Sequence, residues 1–466
     1  MRLAVFVLAP VLLFQFPGSM PCPAAGDAPI HAGLAVRDIT PEEPMFLAGY
    51  AARRKPSNAV DQRLKVQALA LRSGNGDPFV FIALDNCEVS RKFMAPVEAR
   101  LIGRHGLRPG SLMVVSSHTH SAPIIEDALE VMAIMPEKDR EIMRQYSGRL
   151  REALVAVTEA ALQDLQPARL AFGQGQATFA INRRARLPEG TQTAADPAAP
   201  VDWDVPVLRI TGTNGTVRGI LFGYACHGTS IQGEGFFTVS GDYMAYAREQ
   251  LEALYPGATA LYMTGMGADS NPAPRGSLLD AKRHGVELAA AVIEVLNRPM
   301  REVGGDVRFA FAEAPLPLQP PPDRARLEAD GRNEDQFIRR RAEKFLRLLD
   351  AGGAMPEAVP LPMSAVAIGD GLTFLNMAGE VVVDYALHFK RAHAGRTLWT
   401  IGYAYEVPCY IPSARVLGEG GYEADSSMIY YGVYGPLRPE LEPLIHKTMD
   451  NLLNRVSHPN PQSTPP

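Results

Sequence analysis

The chain has 466 residues, of which 46% are hydrophobic and 21% are charged, and its formal net charge at pH 7 is -5. A chain of this length and apolar content can bury a large core and is typical of a globular protein. Acidic and basic residues are interspersed, so the sequence offers no basic stripe for nucleic acid, and we predict no nucleic-acid partner.

The first 25 residues have the pattern of a secretory signal peptide. Arg2 is followed by a mostly apolar stretch over 3–16 and then by small residues up to Ala24-Ala25. This stretch is too short to cross a bilayer as a helix, and no other apolar run of about 18 residues follows. We therefore predict cleavage near Ala24-Ala25 and a soluble, exported protein that is periplasmic or secreted.

Strands and helices are predicted to alternate along the rest of the chain, from runs rich in β-branched residues and from apolar positions at helical spacing. The predicted strands are 33–39, 64–71, 79–84, 112–117, 169–181, 205–213, 216–225, 258–263 and 365–376. The predicted helices are 90–105, 138–165, 243–254, 279–296, 333–349 and 381–390. This alternation favours an α/β fold.

The remaining segments are predicted to be irregular. Residues 187–200 are rich in Pro, Ala, Thr and Gly and indicate a surface insertion, and the proline-rich stretch 315–323 indicates a linker. Residues 457–466 have the composition of a disordered tail. Residues 26–456 are then predicted to form one large domain.

Two histidines follow the predicted strand 112–117. In an extended chain, side chains at positions i and i+2 point to the same face, so His118 and His120 share a face. Neutral imidazole is a good zinc ligand, and the end of a strand is a place where ligands from several elements can meet. On its own, the His-x-His pattern does not separate a metal site from ordinary buried histidines.

A third histidine comes at the end of a predicted hairpin. Asn214-Gly215 between two apolar strands is a strong hairpin signal, and it places His227 just past the second strand. Small hydroxyl residues flank His227, as they flank the pair at 118–120. These two segments together indicate a metal site.

Several motifs occur in the order found in one family. They are His118-Thr119-His120-Ser121-Ala122-Pro123, Cys226-His227-Gly228-Thr229-Ser230, Ser240-Gly241-Asp242, Ala378-Gly379-Glu380, Tyr410-Ile411-Pro412-Ser413 and Tyr422-Glu423, with further matches at 38–41, 49–51 and 182–183. In these motifs and their order, residues 33–436 resemble the neutral/alkaline (non-lysosomal) ceramidases. The resemblance is to the N-terminal catalytic domain, as in the short forms without an immunoglobulin-like domain.

The resemblance implies a fold of layered mixed β-sheets flanked by helices and a Zn²⁺ ion held by four side chains. The implied ligands are His118, His227, Glu380 and Tyr410. Two imidazoles and a carboxylate are a common catalytic zinc set, whereas the tyrosine rests on the resemblance alone.

The implied reaction is hydrolysis of the N-acyl bond of ceramide or a related lipid amide by metal-activated water. His120 would be an acid/base residue, and Arg183 and Tyr422 would form hydrogen bonds to the substrate. A lipid substrate also implies peripheral contact with a membrane.

One segment departs from the family pattern. Ceramidases carry a glycine-aspartate-x-serine-proline-asparagine stretch, whereas this chain reads Gly267-Ala268-Asp269-Ser270-Asn271-Pro272. Ser270 falls at the serine position and is predicted to take part in catalysis. Its alternative role is that of a turn residue before Pro272.

Alternatives remain at the level of residues. Glu380 could instead cap the predicted helix 381–390. Asp384 and His388 lie four and eight residues after it, on one face of that helix, and form a rival ligand set. Seven tyrosines between positions 403 and 434 are equally compatible with packing. Asp242 is predicted to cap the helix that follows it.

Alternatives also remain at the level of function. One is a zinc hydrolase of a non-lipid N-acyl amine, and another is a non-catalytic metal-binding or ligand-binding protein on the same scaffold. A barrel-type metal hydrolase would carry His-x-His after its first strand, but at least three predicted strands precede His118.

Overall fold

The computed structural model describes residues 29–457. The predicted signal peptide at 1–25 lies outside the described residues, as do residues 458–466 of the predicted tail. Ser457, the first residue of that predicted tail, ends the last helix. No helix within 29–457 combines the length and apolar character needed to cross a membrane.

The described strands are β1 (Ile30–Asp38), β2 (Ala59–Val60), β3 (Lys65–Ser73), β4 (Phe79–Leu84), β5 (Leu112–Ser116), β6 (Gln166–Gln176), β7 (Ala180–Leu187), β8 (Gly190–Asp196), β9 (Asp204–Gly212), β10 (Val217–Tyr224), β11 (Thr238–Val239), β12 (Thr259–Thr264), β13 (Ser270–Pro272), β14 (Arg301–Val303), β15 (Val307–Pro317), β16 (Ala358–Ile368), β17 (Leu372–Met377), β18 (Glu380–Val381), β19 (Leu398–Ile401) and β20 (Tyr410–Ile411). The described helices are α1 (Arg91–His105), α2 (Glu137–Gln163), α3 (Asp242–Leu254), α4 (Leu278–Leu296), α5 (Arg324–Asp330), α6 (Gln336–Asp350), α7 (Val383–Ala392), α8 (Ala414–Glu419), α9 (Met428–Tyr431) and α10 (Leu441–Ser457), and Tyr422–Ser426 form a π-helical turn.

Two mixed sheets form the centre of the molecule. The larger has nine strands in the order β12-β10-β9-β6-β1-β3-β4-β5, with β14 beside β6, and the smaller has the order β15-β16-β17-β19. Most neighbours are antiparallel, but β4 with β5, β10 with β12 and β17 with β19 are parallel. Neither sheet closes into a barrel, so the described residues do not support the barrel alternative.

The two sheets pack face to face and are covered by helices outside. Side chains of the large sheet, such as Phe81, and of the small sheet, such as Phe374, share one buried cluster, with these two rings 5.0 Å apart. Helices α1 and α2 cover one half of the outer face of the large sheet, and α3 and α4 cover the other half. Helices α7 and α10 cover the small sheet. This arrangement confirms the prediction of layered mixed sheets flanked by helices.

Four predicted segments differ from the structure. The predicted strand 169–181 covers most of β6 and the start of β7, which are separate strands. The predicted strand 365–376 is a hairpin of β16 and β17, because Gly369 adopts a positive φ of 51° at the turn. The predicted linker 315–323 begins inside β15, where prolines are tolerated because β15 is an edge strand. The predicted insertion 187–200 is largely exposed, but it contains β8, which pairs with β7.

Candidate metal centre

Backbone contacts hold the two histidine segments side by side. Thr119 and Gly228 form a parallel bridge, and the N–H of His120 donates to the carbonyl of Gly228 at 3.0 Å. A Cβ atom at position 228 would lie 2.7 Å from the carbonyl oxygen of His118, so only glycine permits this close approach. The segments after β5 and β10 are thereby fixed to one another.

A second pair of short strands brings in a carboxylate and a phenol. Strands β18 and β20 are parallel, and their register places Glu380 opposite Tyr410. The N–H of Glu380 donates to the carbonyl of Cys409 at 3.0 Å. Glu380 therefore lies in a strand and does not cap the predicted helix 381–390, because α7 begins only at Val383.

Four potential ligand groups converge at one buried point. Oε2 of Glu380 lies 3.2 Å from Nε2 of His118 and 3.1 Å from Nε2 of His227, and the latter nitrogen lies 3.2 Å from the Tyr410 hydroxyl. Ligand atoms of a tetrahedral zinc ion, each about 2.0–2.1 Å from the metal, are about 3.3 Å apart. The donor set and its spacing therefore fit a zinc-sized cation.

The orientation of His118 also fits a ligand role. Its Nδ1–H donates to the carbonyl of Cys87 at 2.8 Å, which leaves the lone pair of Nε2 free to bind a cation. His118 adopts a φ of 59°, an uncommon conformation outside glycine that is found at functional sites. Nδ1 of His227 is buried and has no hydrogen-bond partner within the described chain.

Glu380 is held by tyrosines as well as histidines. Tyr403 donates to its Oε2 at 3.3 Å, and Tyr431 donates to its Oε1. Burial raises the pKa of Glu380, but interactions with His118 and His227 outweigh it and hold that pKa well below the usual range. Glu380 is thus an ionised carboxylate at the centre of the site.

Arg183 fixes the phenol of Tyr410. Its Nη2 donates to the Tyr410 hydroxyl at 2.8 Å, and its Nε donates to Glu423 at 2.8 Å. Glu423 also accepts from Arg184 at 2.6 Å, so one buried carboxylate is shared by two arginines of β7. Burial raises the pKa of Tyr410, and the positive charge of Arg183 opposes that rise.

His120 faces the same centre. Its Nε2 lies 3.1 Å from Nε2 of His118, and the two rings are nearly perpendicular. Burial and the neighbouring His118 and His227 hold the pKa of His120 well below its usual value, which keeps the imidazole neutral. A neutral imidazole at this position can accept a proton.

The comparisons with known proteins agree with this geometry. Residues 31–266, just over half of the chain, match the family model described as neutral/alkaline non-lysosomal ceramidase, N-terminal. The chain belongs to the neutral/alkaline non-lysosomal ceramidase family. This bears out the resemblance seen in the motifs, and enzymes of this family hydrolyse ceramide.

Solved ceramidase structures share the fold of this family member. The neutral ceramidase from Pseudomonas aeruginosa is 18% identical, with a TM-score of 0.67 over 93% of this chain and 74% of that one. A ceramidase complexed with C2 is 20% identical, with a TM-score of 0.65 over 88% of this chain and 73% of that one. A search of curated protein sequences found no match.

The other predicted site residues of this ceramidase-family chain are placed as follows. Tyr422 is half-buried, with its ring 5.4 Å from the ring of Tyr410 and beside the Arg183 guanidinium. The carbonyl of Ser270 accepts from the N–H of His227 at 3.0 Å, whereas its buried hydroxyl has no hydrogen-bond partner among residues 29–457. Ser270 therefore positions His227 through its backbone, and a catalytic role for its hydroxyl stays a prediction.

The rival ligand set on α7 does not assemble. Asp384 pairs with Arg415 at 2.9 Å, and His388 stacks on His446 with ring centroids 3.7 Å apart. Asp242, predicted as a helix cap, is instead the first helical residue, and its carboxylate accepts from the backbone N–H of Ser230 at 2.9 Å. It thus supports the segment that carries His227.

Sequence reasoning missed several residues of the site. Tyr403 and Tyr431 were two of seven tyrosines that position alone could not separate, and Glu423 was known only as part of a motif. Cys87, whose carbonyl orients His118, gave no signal beyond its position after the predicted strand 79–84. Cys87 also forms a second cluster of potential ligand atoms with His118 and His120.

Proposed function

We propose that this chain is an exported, zinc-dependent amide hydrolase that cleaves the N-acyl bond of ceramide or a related lipid amide. The observation that carries the proposal is the convergence of His118, His227 and Glu380, whose ligand atoms all lie within 4.8 Å of one another. Membership of the ceramidase family supports the substrate class. The signal-like segment at 1–25 supports export.

The proposed ligands are the two histidines, Glu380 and Tyr410. Nitrogen and oxygen donors in this number favour zinc over calcium or magnesium, which prefer oxygen alone. When bound, zinc supplies Lewis-acid activation of a water molecule and of the amide carbonyl. Arg183 holds the Tyr410 phenol toward the site with a hydrogen bond of 2.8 Å.

His120 is the proposed acid/base residue. Its neutral imidazole can accept a proton from the attacking water and then return that proton to the leaving amine. Its position is fixed on one side by Tyr50, whose ring lies edge-on at 4.8 Å. Gly49 makes room for the His120 ring, because a Cβ there would lie 2.3 Å from that ring.

Arg183 and Tyr422 are the proposed substrate contacts. Three of the five N–H groups of Arg183 donate to Glu423, Asn271 and Tyr410, which leaves two for a substrate oxygen. Tyr422 is fixed beside Arg183 by the adjacent Glu423, so the two side chains are held on the same side of the site. Both can donate to an oxygen that gains negative charge during the reaction.

The experiment that tests this function is hydrolysis of a small panel of N-acyl compounds. Metal-loaded and metal-stripped protein are compared on a ceramide, a fatty acyl-amino acid and a short-chain N-acetyl amine. We expect metal-dependent release of fatty acid from the ceramide. Release from another amide alone would replace the substrate, and no turnover on any compound would favour the non-catalytic binding protein.

A further inference from the structure

The segment 269–272, which contains β13, joins two segments that carry site residues. The N–H of Arg183 donates to the carbonyl of Asp269 at 2.8 Å, and the N–H of His227 donates to the carbonyl of Ser270 at 3.0 Å. This is also the segment whose residue order departs from the ceramidase stretch. It fixes the spacing between β7, which carries a proposed substrate contact, and the segment after β10, which carries a proposed zinc ligand.

Asn271 is the polar side chain of this segment that contacts both sides. It is 4% exposed and lies in β13 opposite Ile181 of β7. Its Oδ1 accepts from Nη1 of Arg183 at 3.3 Å and from Oγ1 of Thr229 at 3.2 Å. One carboxamide oxygen therefore connects a proposed substrate contact to a residue two positions beyond His227.

The partners of Asn271 fix which way its carboxamide points. A guanidinium only donates hydrogen bonds, so the atom that faces Arg183 is the oxygen and not the nitrogen. A carboxamide oxygen accepts two hydrogen bonds, and here Arg183 and Thr229 supply both. A flipped carboxamide would turn Nδ2 toward the guanidinium and leave buried donors facing each other, which is costly. The side chain thus has one orientation in which it can hold Arg183.

Asn271 holds the arm of Arg183 that its other partners leave free. Nε donates to Glu423 and Nη2 donates to Tyr410, both at 2.8 Å. Nη1 has Asn271 as its partner among residues 29–457. The guanidinium is planar, so a bond to each of its nitrogens fixes that plane and the directions of its remaining N–H groups.

We propose that Asn271 is a positioning residue for the amide hydrolysis, because its Oδ1 holds the Arg183 guanidinium in the direction in which the free N–H groups meet the substrate oxygen. This inference rests on the proposed function, in which Arg183 contacts the substrate. The hydroxyl of Thr229 holds the same carboxamide from the side of His227. Asn271 therefore sets the position of Arg183 relative to the proposed zinc ligands without contacting the substrate itself.

The test is a double-mutant cycle on the N-acyl compound that the wild type cleaves fastest, expected to be a short-chain ceramide such as N-hexanoylsphingosine. Full-length, zinc-loaded protein is used throughout. We expect Asn271→Ala to lower kcat/KM about tenfold, because misplacement of a contact group is costly. The loss should lie in kcat, with less than about a twofold change in KM, because Arg183 is proposed to contact an oxygen that gains charge during the reaction.

The second half of the cycle shows whether Asn271 acts through Arg183. In an Arg183→Met background, Asn271→Ala should change kcat/KM by less than about twofold, because the group that Asn271 holds is gone. Equal fold losses in the two backgrounds would overturn the inference. A wild-type kcat in Asn271→Ala would overturn it as well.

Two further variants separate positioning from folding. Thr229→Val keeps the shape of the side chain but removes its hydroxyl, so we expect kcat to fall about threefold with unchanged zinc content. Asn214→Ala removes an exposed asparagine at the turn between β9 and β10 and should leave kcat unchanged. Zinc content and a thermal melt are measured for every variant. A loss of activity in Asn271→Ala that only follows a loss of zinc or of folded protein would overturn the positioning role.

Failure of this inference and failure of the proposed function give different results. A wild type that hydrolyses an N-acyl compound with zinc, but shows equal losses in both backgrounds, would keep the proposed function and overturn the role of Asn271. A wild type without turnover on any N-acyl compound would overturn both, because there is then no reaction for Arg183 to serve.

Discussion

The hydroxyl of Tyr431 donates a hydrogen bond to Oε1 of Glu380, the oxygen that faces away from the two histidines. Tyr431 is the last residue of α9 and lies 51 residues beyond Glu380 in the chain. A hydrogen bond of this kind fixes the orientation of a ligating carboxylate.

We predict that Tyr431→Phe lowers activity or zinc affinity by about tenfold, because loss of a partner of a ligand commonly costs 10–100-fold. The fold should be retained, because only one hydroxyl is removed. The matched control is Tyr430→Phe, since Tyr430 is half-buried and packs on Phe337 instead. The prediction is checked by zinc titration with a competing chelator, and similar affinities for the two variants would contradict it.

Removal of single histidines should separate the ligands from the acid/base residue. We predict about one zinc ion per purified wild-type chain, loss of that ion in His118→Ala and His227→Ala, and retention of most of it in His120→Ala. Metal content by mass spectrometry checks this, and His105→Ala is the surface control. Stoichiometric zinc in His227→Ala would refute the ligand assignment.

Glu423 should be important for stability. It is the shared partner of Arg183 and Arg184, and all three side chains are buried. Glu423→Gln leaves the buried Arg183 without a charge partner and leaves Arg184 with Glu419 alone, at 3.3 Å. We therefore expect a loss of about 3 kcal/mol in the free energy of unfolding. Chemical denaturation measures this loss. Glu419→Gln, which removes a more exposed partner of Arg184, should cost less than about 1 kcal/mol.

Asp269 should make stability depend on pH. Burial raises its pKa from 3.8 to about 6, although hydrogen bonds from Val383 and Asn182 oppose the rise. The folded state therefore holds this proton more tightly than the unfolded state, and its contribution to stability is lost as the pH rises from about 4 to about 6.

The size of this effect follows from the shift in pKa. A shift of about two units corresponds to about 3 kcal/mol, so the stability of the wild type relative to Asp269→Asn should decrease by up to that amount across this range. Denaturant titrations of both proteins at several pH values measure the difference. A difference that stays constant with pH would contradict the prediction.

Helix α6 should limit the mobility of the loop before α2. Arg340 donates to the carbonyls of Val131, Glu130 and Ala133, which line this loop. We predict that Arg340→Gln speeds amide hydrogen exchange over 125–135, because the loop loses its anchor. Arg347→Gln, on the exposed side of the same helix, is the control and should leave that exchange unchanged.

The sequence alone was sufficient to predict the family, the α/β class and the proposed ligands. That His118 and His120 share a face follows from the period of two in an extended strand. The hairpin signal at Asn214-Gly215 is borne out by β9 and β10. These features are local, so spacing and turn chemistry encode them directly. The order of the motifs then carried the resemblance.

Only the tertiary structure decided which groups complete the site. Glu380 was chosen over Asp384 and His388 because β18 pairs with β20 before α7 begins. Tyr431 was chosen over Tyr430 because α9 points only one of them at the carboxylate. Such contacts join residues far apart in the chain, and charge balance in a buried site depends on every element packed around it.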